Sequence, residues 1–189
     1  MELEQPIFRS VQQALHFSFL VATLPVSQKS QMESIYRNGG KRVVSDEYHH
    51  STIHFGDLSP LEVRGQCAMV RGVVVDHLLE PERQAVYARY SYRAEKAGAV
   101  RAMRDHALPL LSCQDEWPTM AMSWSIFGTD VQRDGLSVRL IADEYDLSKS
   151  SVARDVAEIR RAFRTLEGRA YEKLGEIFLR SGLIGIDDA

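Results

Sequence analysis

The sequence predicts an all-α fold, and three features of the chain support that prediction. Apolar residues recur at steps of three and four along most of the chain, as they do on one face of an α-helix. Proline and glycine fall between these periodic stretches, where helices begin or end. No stretch has the convincing pattern of a β-hairpin, and no internal repeat is visible. We therefore expect helices joined by short connections.

The first expected helix runs from Ile7 to Thr23 and has a broad apolar surface. Pro25 ends it, because the residue before a proline disfavours the α conformation. Such a surface must be buried in the core of this chain or against a partner, and core packing is our preferred interpretation. A second short helix is expected to begin near Ser30 and to end by Gly40.

The stretch from Lys41 to Gly56 contains His49, His50 and His54. His50 and His54 would share one face of a helix, a spacing that suits zinc. The residues between them favour neither a helix nor a metal cage, and no complete set of ligands is evident. We expect a surface loop with no metal site and no cofactor, and the role of these histidines stays open.

Proline-led helix starts mark the middle of the chain. Ser59 is a candidate N-cap, with Pro60 at the first helical position and Glu62 completing a capping box. This helix should run to about Leu79, and Pro81 should begin another close behind it. The expected buried face of that next helix consists of Val86, Tyr87 and Tyr90.

A further helical segment runs from Glu95 to Leu111 and is closed by Pro109. Pro118 is expected at the first position of the following helix, and Gly128 to Gly135 should be a polar connector. That helix is rich in residue types favoured in protein contacts, but we expect its large side chains to fill the core. The side chains concerned are Trp117, Met120, Met122 and Trp124.

The stretch from Leu136 to Leu166 has the pattern of a helix-turn-helix. Ala142 lies where the first helix must pass close to the second, and Leu147 is expected to end the first helix. Asp146 occupies a turn position at which many such motifs have glycine, and Asp tolerates the left-handed conformation better than most residues. Ser148 can cap the second helix. The second helix then has one apolar stripe, formed by Val152, Val156, Ile159, Phe163 and Leu166, and helical periodicity continues to Arg180.

The opposite side of the second helix is basic, and it is the candidate DNA-binding surface. Small residues let a backbone approach DNA closely, and Arg and Lys neutralise phosphates or bind guanine. Serine hydroxyls at the helix start suit phosphates, Lys149 and Arg154 would reach base edges, and the later arginines would meet the flanking backbone. The candidate residues are Ser148, Lys149, Ser150, Ser151, Arg154, Arg160, Arg161 and Arg164. The alternative interpretation is an ordinary helical hairpin with a basic surface.

Composition limits the classes of function. The chain has 189 residues, enough for one compact domain or two small ones. Its net charge of -3 means that any binding of nucleic acid must come from a local patch. The isolated Cys67 and Cys113 indicate neither a disulfide framework nor a zinc ribbon, which fits a reducing cytoplasm. We expect no membrane span and no signal peptide. No HExxH motif, nucleophile elbow or phosphate-binding glycine loop is present, so we do not expect an enzyme.

Two separated pieces of the chain resemble the two halves of one known module. Leu78 to Tyr90 is similar to the opening helix of region 4 of bacterial sigma factors, and Leu136 to Leu166 resembles the helix-turn-helix that closes that region. In sigma factors only a few residues separate the two pieces, whereas residues 91–135 intervene here. The resemblance divides the chain into an N-terminal helical region with the His-rich loop (1–56), the first half of the module (57–94), an inserted helical segment (95–135), and the helix-turn-helix with its C-terminal helix (136–189).

Small phage proteins of the antiterminator Q group have this arrangement. The resemblance implies a factor that binds promoter-proximal DNA and loads onto paused RNA polymerase, which then ignores terminators. It implies double-stranded DNA, bacterial RNA polymerase and sigma factor as partners, a location in the cytoplasm of a bacterial host, and no catalytic residues. The expected function is sequence-specific DNA binding in transcription regulation. The alternatives are a conventional helix-turn-helix repressor or activator, and a protein-binding adaptor that does not bind DNA.

Overall fold

The computed structural model describes residues 6–24, 53 and 58–185. The helix expected from Ser30 to Gly40 lies outside these residues, and so do His49, His50 and His54. The all-α prediction is confirmed, and the described residues contain no strand, only an isolated bridge between Phe8 and Ile184. The helices are α1 (Val11–Thr23), α2 (Pro60–His77), α3 (Glu80–Tyr90), α4 (Arg93–Ala107), α5 (Glu116–Phe127), α6 (Asp130–Arg133), α7 (Val138–Glu144) and α8 (Lys149–Arg180).

The chain divides into two compact units. One contains the described residues up to Leu78 together with those from Tyr171 onward, and the other is Leu79–Ala170. Helix α8 contributes its first part to the second unit and its last part to the first. The four-part division in the sequence analysis is based on the resemblance to sigma region 4, whereas the two units are defined by contacts within the structure. The four-part division therefore stays a prediction.

The first unit buries the broad apolar surface of α1, as predicted. Phe17 and Phe19 are almost fully buried, and α1 packs on α2. Arg71 of α2 donates a hydrogen bond to the backbone carbonyl oxygen of Ser18 at 2.6 Å. The predicted start of α2 is confirmed, since Ser59 and Glu62 form a complete capping box.

The second unit has one core that joins the expected inserted segment to the helix-turn-helix. Met122 of α5 is fully buried in it, together with Ile141 of α7 and the apolar stripe of α8. Met120 and Trp124 pack partly buried against the same core. The expectation of core packing is wrong for Trp117, which is 74% exposed.

Several expected helix boundaries differ from the structure, and α1 begins at Val11 rather than at Ile7. Helix α7 ends at Glu144 rather than at Leu147, because the chain turns through a left-handed Asp146. Pro118 is the third residue of α5 rather than the first, which is tolerated because the N–H groups of the first turn have no partner within the helix. The α-helix expected to reach Leu111 stops at Ala107 and continues as a 3-10 turn.

Candidate nucleic-acid interface

The turn between α7 and α8 has a well-defined backbone geometry. Asp146 has φ 52, so the predicted left-handed conformation is confirmed. The N–H of Leu147 donates to the carbonyl oxygen of Ala142 at 2.9 Å, as in a Schellman motif. Ala142 itself is buried, in agreement with the prediction that it lies between the two helices. Together these features fix the direction in which α8 leaves the turn.

Ser148 caps α8 as predicted. Its hydroxyl oxygen accepts a hydrogen bond from the backbone N–H of Ser151 at 3.1 Å. The carbonyl oxygen of Ser148 accepts from the N–H of Val152 at 3.0 Å, which closes the first turn of the helix. The hydroxyl of Ser150 lies 3.2 Å from that of Ser148. Three serines therefore surround the N-terminus of α8, where free amides and the helix dipole favour anions.

The first part of α8 separates an apolar side from a basic side. All five residues of the predicted apolar stripe are buried. Ser151 is half-buried, and the other predicted DNA-binding residues are exposed to solvent. We call the cationic part of this surface the basic face, and it consists of Lys149, Arg154, Arg160, Arg161 and Arg164. Because these side chains point away from the core, they are free to contact a large external ligand.

The charges of the basic face are not all equally available. Arg161 forms an ion pair with Glu158 at 3.0 Å, one turn earlier on the same helix. Arg160 and Arg164 line a shallow concavity together with Ala157 and Thr165. The residues at 157 and 165 have small side chains, so an approaching backbone can come close to the helix there. This surface suits a line of phosphates.

The exposed surface of α7 and the turn is mainly acidic, unlike the basic face of α8. Helix α7 and the turn expose three carboxylates, those of Asp143, Glu144 and Asp146. Arg139 lies 3.7 Å from Asp143 and compensates part of this charge. A polyanion would therefore be attracted to the α8 side of the motif and repelled by the exposed side of α7.

Sequence reasoning missed Asp155, a buried carboxylate on α8 that is only 1% exposed. Its two oxygens accept hydrogen bonds from the backbone N–H of Ser112 at 2.9 Å and of Cys113 at 3.0 Å. The hydroxyl of Ser112 lies 2.8 and 2.9 Å from the same two oxygens. It also lies 2.8 Å from the hydroxyl of Ser151. Asp155 thus joins the loop before α5 to the first turns of α8. The sequence signal for its burial is its spacing: it lies three residues after Val152, on the same side of the helix as the apolar stripe.

No model of a protein family matches the chain, and a search of curated proteins finds no match either.

Within the described residues, no helix is long and apolar enough to cross a membrane. In the same part of the chain, no group of three or more His, Cys, Asp or Glu residues could hold a metal ion.

Proposed function

We propose that this protein is a sequence-specific DNA-binding regulator of transcription. In this proposal α7, its turn and the first part of α8 form the helix-turn-helix, and the start of α8 enters the major groove. The observation that supports it best is the solvent-exposed basic face directly behind a serine-capped turn. Amphipathic helices commonly have charged solvent sides, but here every exposed charged residue from 149 to 164 is a cation, whereas Glu158 is half-buried and Asp155 is buried.

The position of each side chain along α8 suggests its role. Lys149 and Arg154 lie in the first two turns, which reach base edges in helix-turn-helix proteins. Ser148 and Ser150 lie at the helix N-terminus, where hydroxyls and amides can bind phosphate. Arg160 and Arg164 lie about two and three turns beyond Arg154, and they would contact the flanking backbone. Arg161 would also contact the flanking backbone, but its charge is partly compensated by the ion pair with Glu158.

The resemblance to sigma region 4 extends the proposal to a specific kind of regulation. It suggests a phage late-gene antitermination factor that binds promoter-proximal DNA and engages bacterial RNA polymerase in the host cytoplasm. A conventional repressor or activator would use the same helix-turn-helix. Mapping the bound DNA and measuring transcription through terminators downstream of the site separates these cases, because only an antiterminator raises transcription beyond the terminators without raising initiation.

A protein-binding adaptor without DNA binding is the second candidate. The exposed Trp117 favours it, because tryptophan is enriched at the centres of protein interfaces. Under this alternative the basic face is only a solvated surface. Purified protein that retains no duplex DNA at low salt would favour the adaptor.

Replacing Arg154 tests the DNA-binding proposal. Arg154→Ala should cost ~1 to 3 kcal/mol of specific binding, the range for one base-reading contact. Duplexes selected by the wild-type protein from a random pool provide the ligand, and fluorescence anisotropy gives the affinity. Arg180→Ala is the matched control, since it removes an equal and exposed charge from the far end of the same helix. Equal affinities for Arg154→Ala and wild type, with the same sequence preference, would contradict this role.

A further inference from the structure

The three side chains of Ser151, Ser112 and Asp155 form a continuous chain of hydrogen bonds that ends at the candidate interface. The hydroxyl oxygens of Ser151 and Ser112 are 2.8 Å apart. The hydroxyl of Ser112 is in turn 2.8 Å from the Oδ1 of Asp155. Asp155 is buried, whereas Ser151 lies on the first turn of α8 beside Lys149 and Ser150. The chain therefore runs from the core of the unit to its surface.

The direction of these hydrogen bonds follows from counting protons. A carboxylate can only accept, and a serine hydroxyl has a single proton to donate. Bonds to an ionised acceptor are the stronger ones, so Ser112 donates its proton to Asp155. The bond between the two serines must then be donated by Ser151. Ser151 consequently has no proton left for an external ligand, and it presents only lone pairs.

We propose that Ser151 is a specificity-determining residue that accepts a hydrogen bond from a base amino group in the major groove. This inference rests on the proposed function, because it assumes that the start of α8 enters the groove. Phosphate oxygens are acceptors and cannot pair with a hydroxyl that has no free proton. In the major groove the donors are the N6 amino group of adenine and the N4 amino group of cytosine. Ser151 should therefore favour adenine or cytosine at one position of one strand. In this proposal the base contact takes the place of the phosphate contact that the sequence predicts for the Ser151 hydroxyl.

Sequence selection from a pool of random duplexes tests this assignment. The wild-type protein should enrich adenine or cytosine about three- to tenfold at one position, which is the range for one hydrogen bond. Ser151→Ala should lose that preference. Ser112→Ala should lose or reverse it, because Ser151 then regains a proton to donate. Ser181→Ala is the matched control, since Ser181 is an exposed serine just past the far end of α8, outside this chain of hydrogen bonds, and should leave that position unchanged.

A modified base gives a second, independent readout. If the selected base at this position is adenine, the duplex is remade with purine, which lacks the 6-amino group. If it is cytosine, the duplex is remade with 2-pyrimidinone, which lacks the 4-amino group. The wild-type protein should bind the modified duplex about three- to tenfold more weakly, and Ser151→Ala should bind both duplexes equally. Near-identical melting temperatures of the variants show that they are folded.

The two levels of the proposal fail in different ways. If the wild-type protein enriches no sequence, the proposed function fails and this inference fails with it. If it enriches a sequence, but Ser151→Ala and Ser112→Ala select that sequence unchanged, only the role of Ser151 is overturned.

Discussion

At the scale of single residues, Asp155 shows how one buried charge can organise a surface. Its carboxylate accepts hydrogen bonds from the backbone N–H groups of Ser112 and Cys113 and from the hydroxyl of Ser112. A buried charge without such donors would cost several kcal/mol. The loop before α5 and the first turns of α8 therefore depend on each other.

Asp155→Asn should destabilise the protein by about 1 to 3 kcal/mol, because the new amide group places a donor against the N–H groups that the carboxylate accepted. Denaturant unfolding followed by circular dichroism measures the loss. Asp134→Asn, at an exposed position, is the control and should change the unfolding free energy by less than about 0.5 kcal/mol. Equal losses for the two variants would show that the hydrogen bonds to Asp155 contribute nothing.

The two buried cysteines report where Asp155→Asn acts. Cys113 donates its backbone N–H to Asp155, whereas Cys67 lies in the other unit. Burial raises the pKa of the Cys67 thiol to about 11, so this thiol should react slowly with alkylating reagents. The variant should expose Cys113 to alkylation and leave Cys67 at its wild-type rate, which peptide mass spectrometry resolves. Faster reaction at both would indicate global rather than local loosening.

At the scale of elements, the start of α8 depends on one side chain. Ser148→Ala removes the hydroxyl that accepts the N–H of Ser151, and it should cost about 1 kcal/mol of stability. Ser148→Asp should retain most of that stability, since Asp is an equally good cap. Thermal unfolding of the two variants beside the wild-type protein measures the difference. A Ser148→Ala protein as stable as Ser148→Asp would mean that the cap is not needed.

Helix boundaries were predictable where the signal is local. The capping box at Ser59, the left-handed Asp146 and the cap at Ser148 each depend on residues within a few positions of one another, so the sequence alone indicates them. The sequence predicts a polar connector from Gly128 to Gly135, whereas the structure has the short helix α6 there, with a capping box formed by Thr129 and Gln132. The signal for α6 is therefore local as well, although Gly128 directly precedes it.

Contacts between distant elements could not be predicted in the same way. Arg89 of α3 forms an ion pair with Glu167 of α8 at 2.7 Å, and its guanidinium lies 5.5 Å from the centre of the Phe163 ring. Ser112 and Asp155 are separated by 43 positions. No periodicity links such residues, because only the fold brings them together. The exposure of the candidate site was predictable from the buried stripe, whereas its link to the loop was not.

At the scale of the whole molecule, one buried imidazole makes stability depend on pH. Burial lowers the pKa of His16, on α1 of the first unit, below its usual 6.5. As the pH falls, His16 therefore takes up a proton in the unfolded chain at a higher pH than in the folded protein. The contribution of neutral His16 to stability is complete above about pH 6.5 and is lost progressively below it.

His16→Gln should flatten this dependence. Between pH 7.5 and 5.5 the wild-type protein should lose more of its unfolding free energy than the variant, because only the wild type has this imidazole to protonate. Urea titrations at the two pH values measure the difference. A variant that loses as much stability as the wild-type protein would exclude His16 as the source.

The net charge of -3 also matters at this scale, because the five cations of the basic face belong to a chain in which 26 Asp and Glu residues outweigh 23 Lys and Arg residues. A long-range attraction to DNA is therefore not expected from the protein as a whole. In the proposed function, binding depends on close contacts of the basic face with phosphates, each of which releases about one counterion. This makes the salt dependence of binding a direct count of the cations that reach the backbone.

The salt dependence of duplex binding is thus the most direct test of the central claim. For the wild-type protein, the logarithm of the affinity should fall steeply against the logarithm of the salt concentration. The double variant Arg160→Ala, Arg164→Ala should reduce that slope by about 2, one for each lost phosphate contact. A flat slope for the wild-type protein, or an unchanged slope for the double variant, would contradict the claim that the basic face of α8 binds DNA.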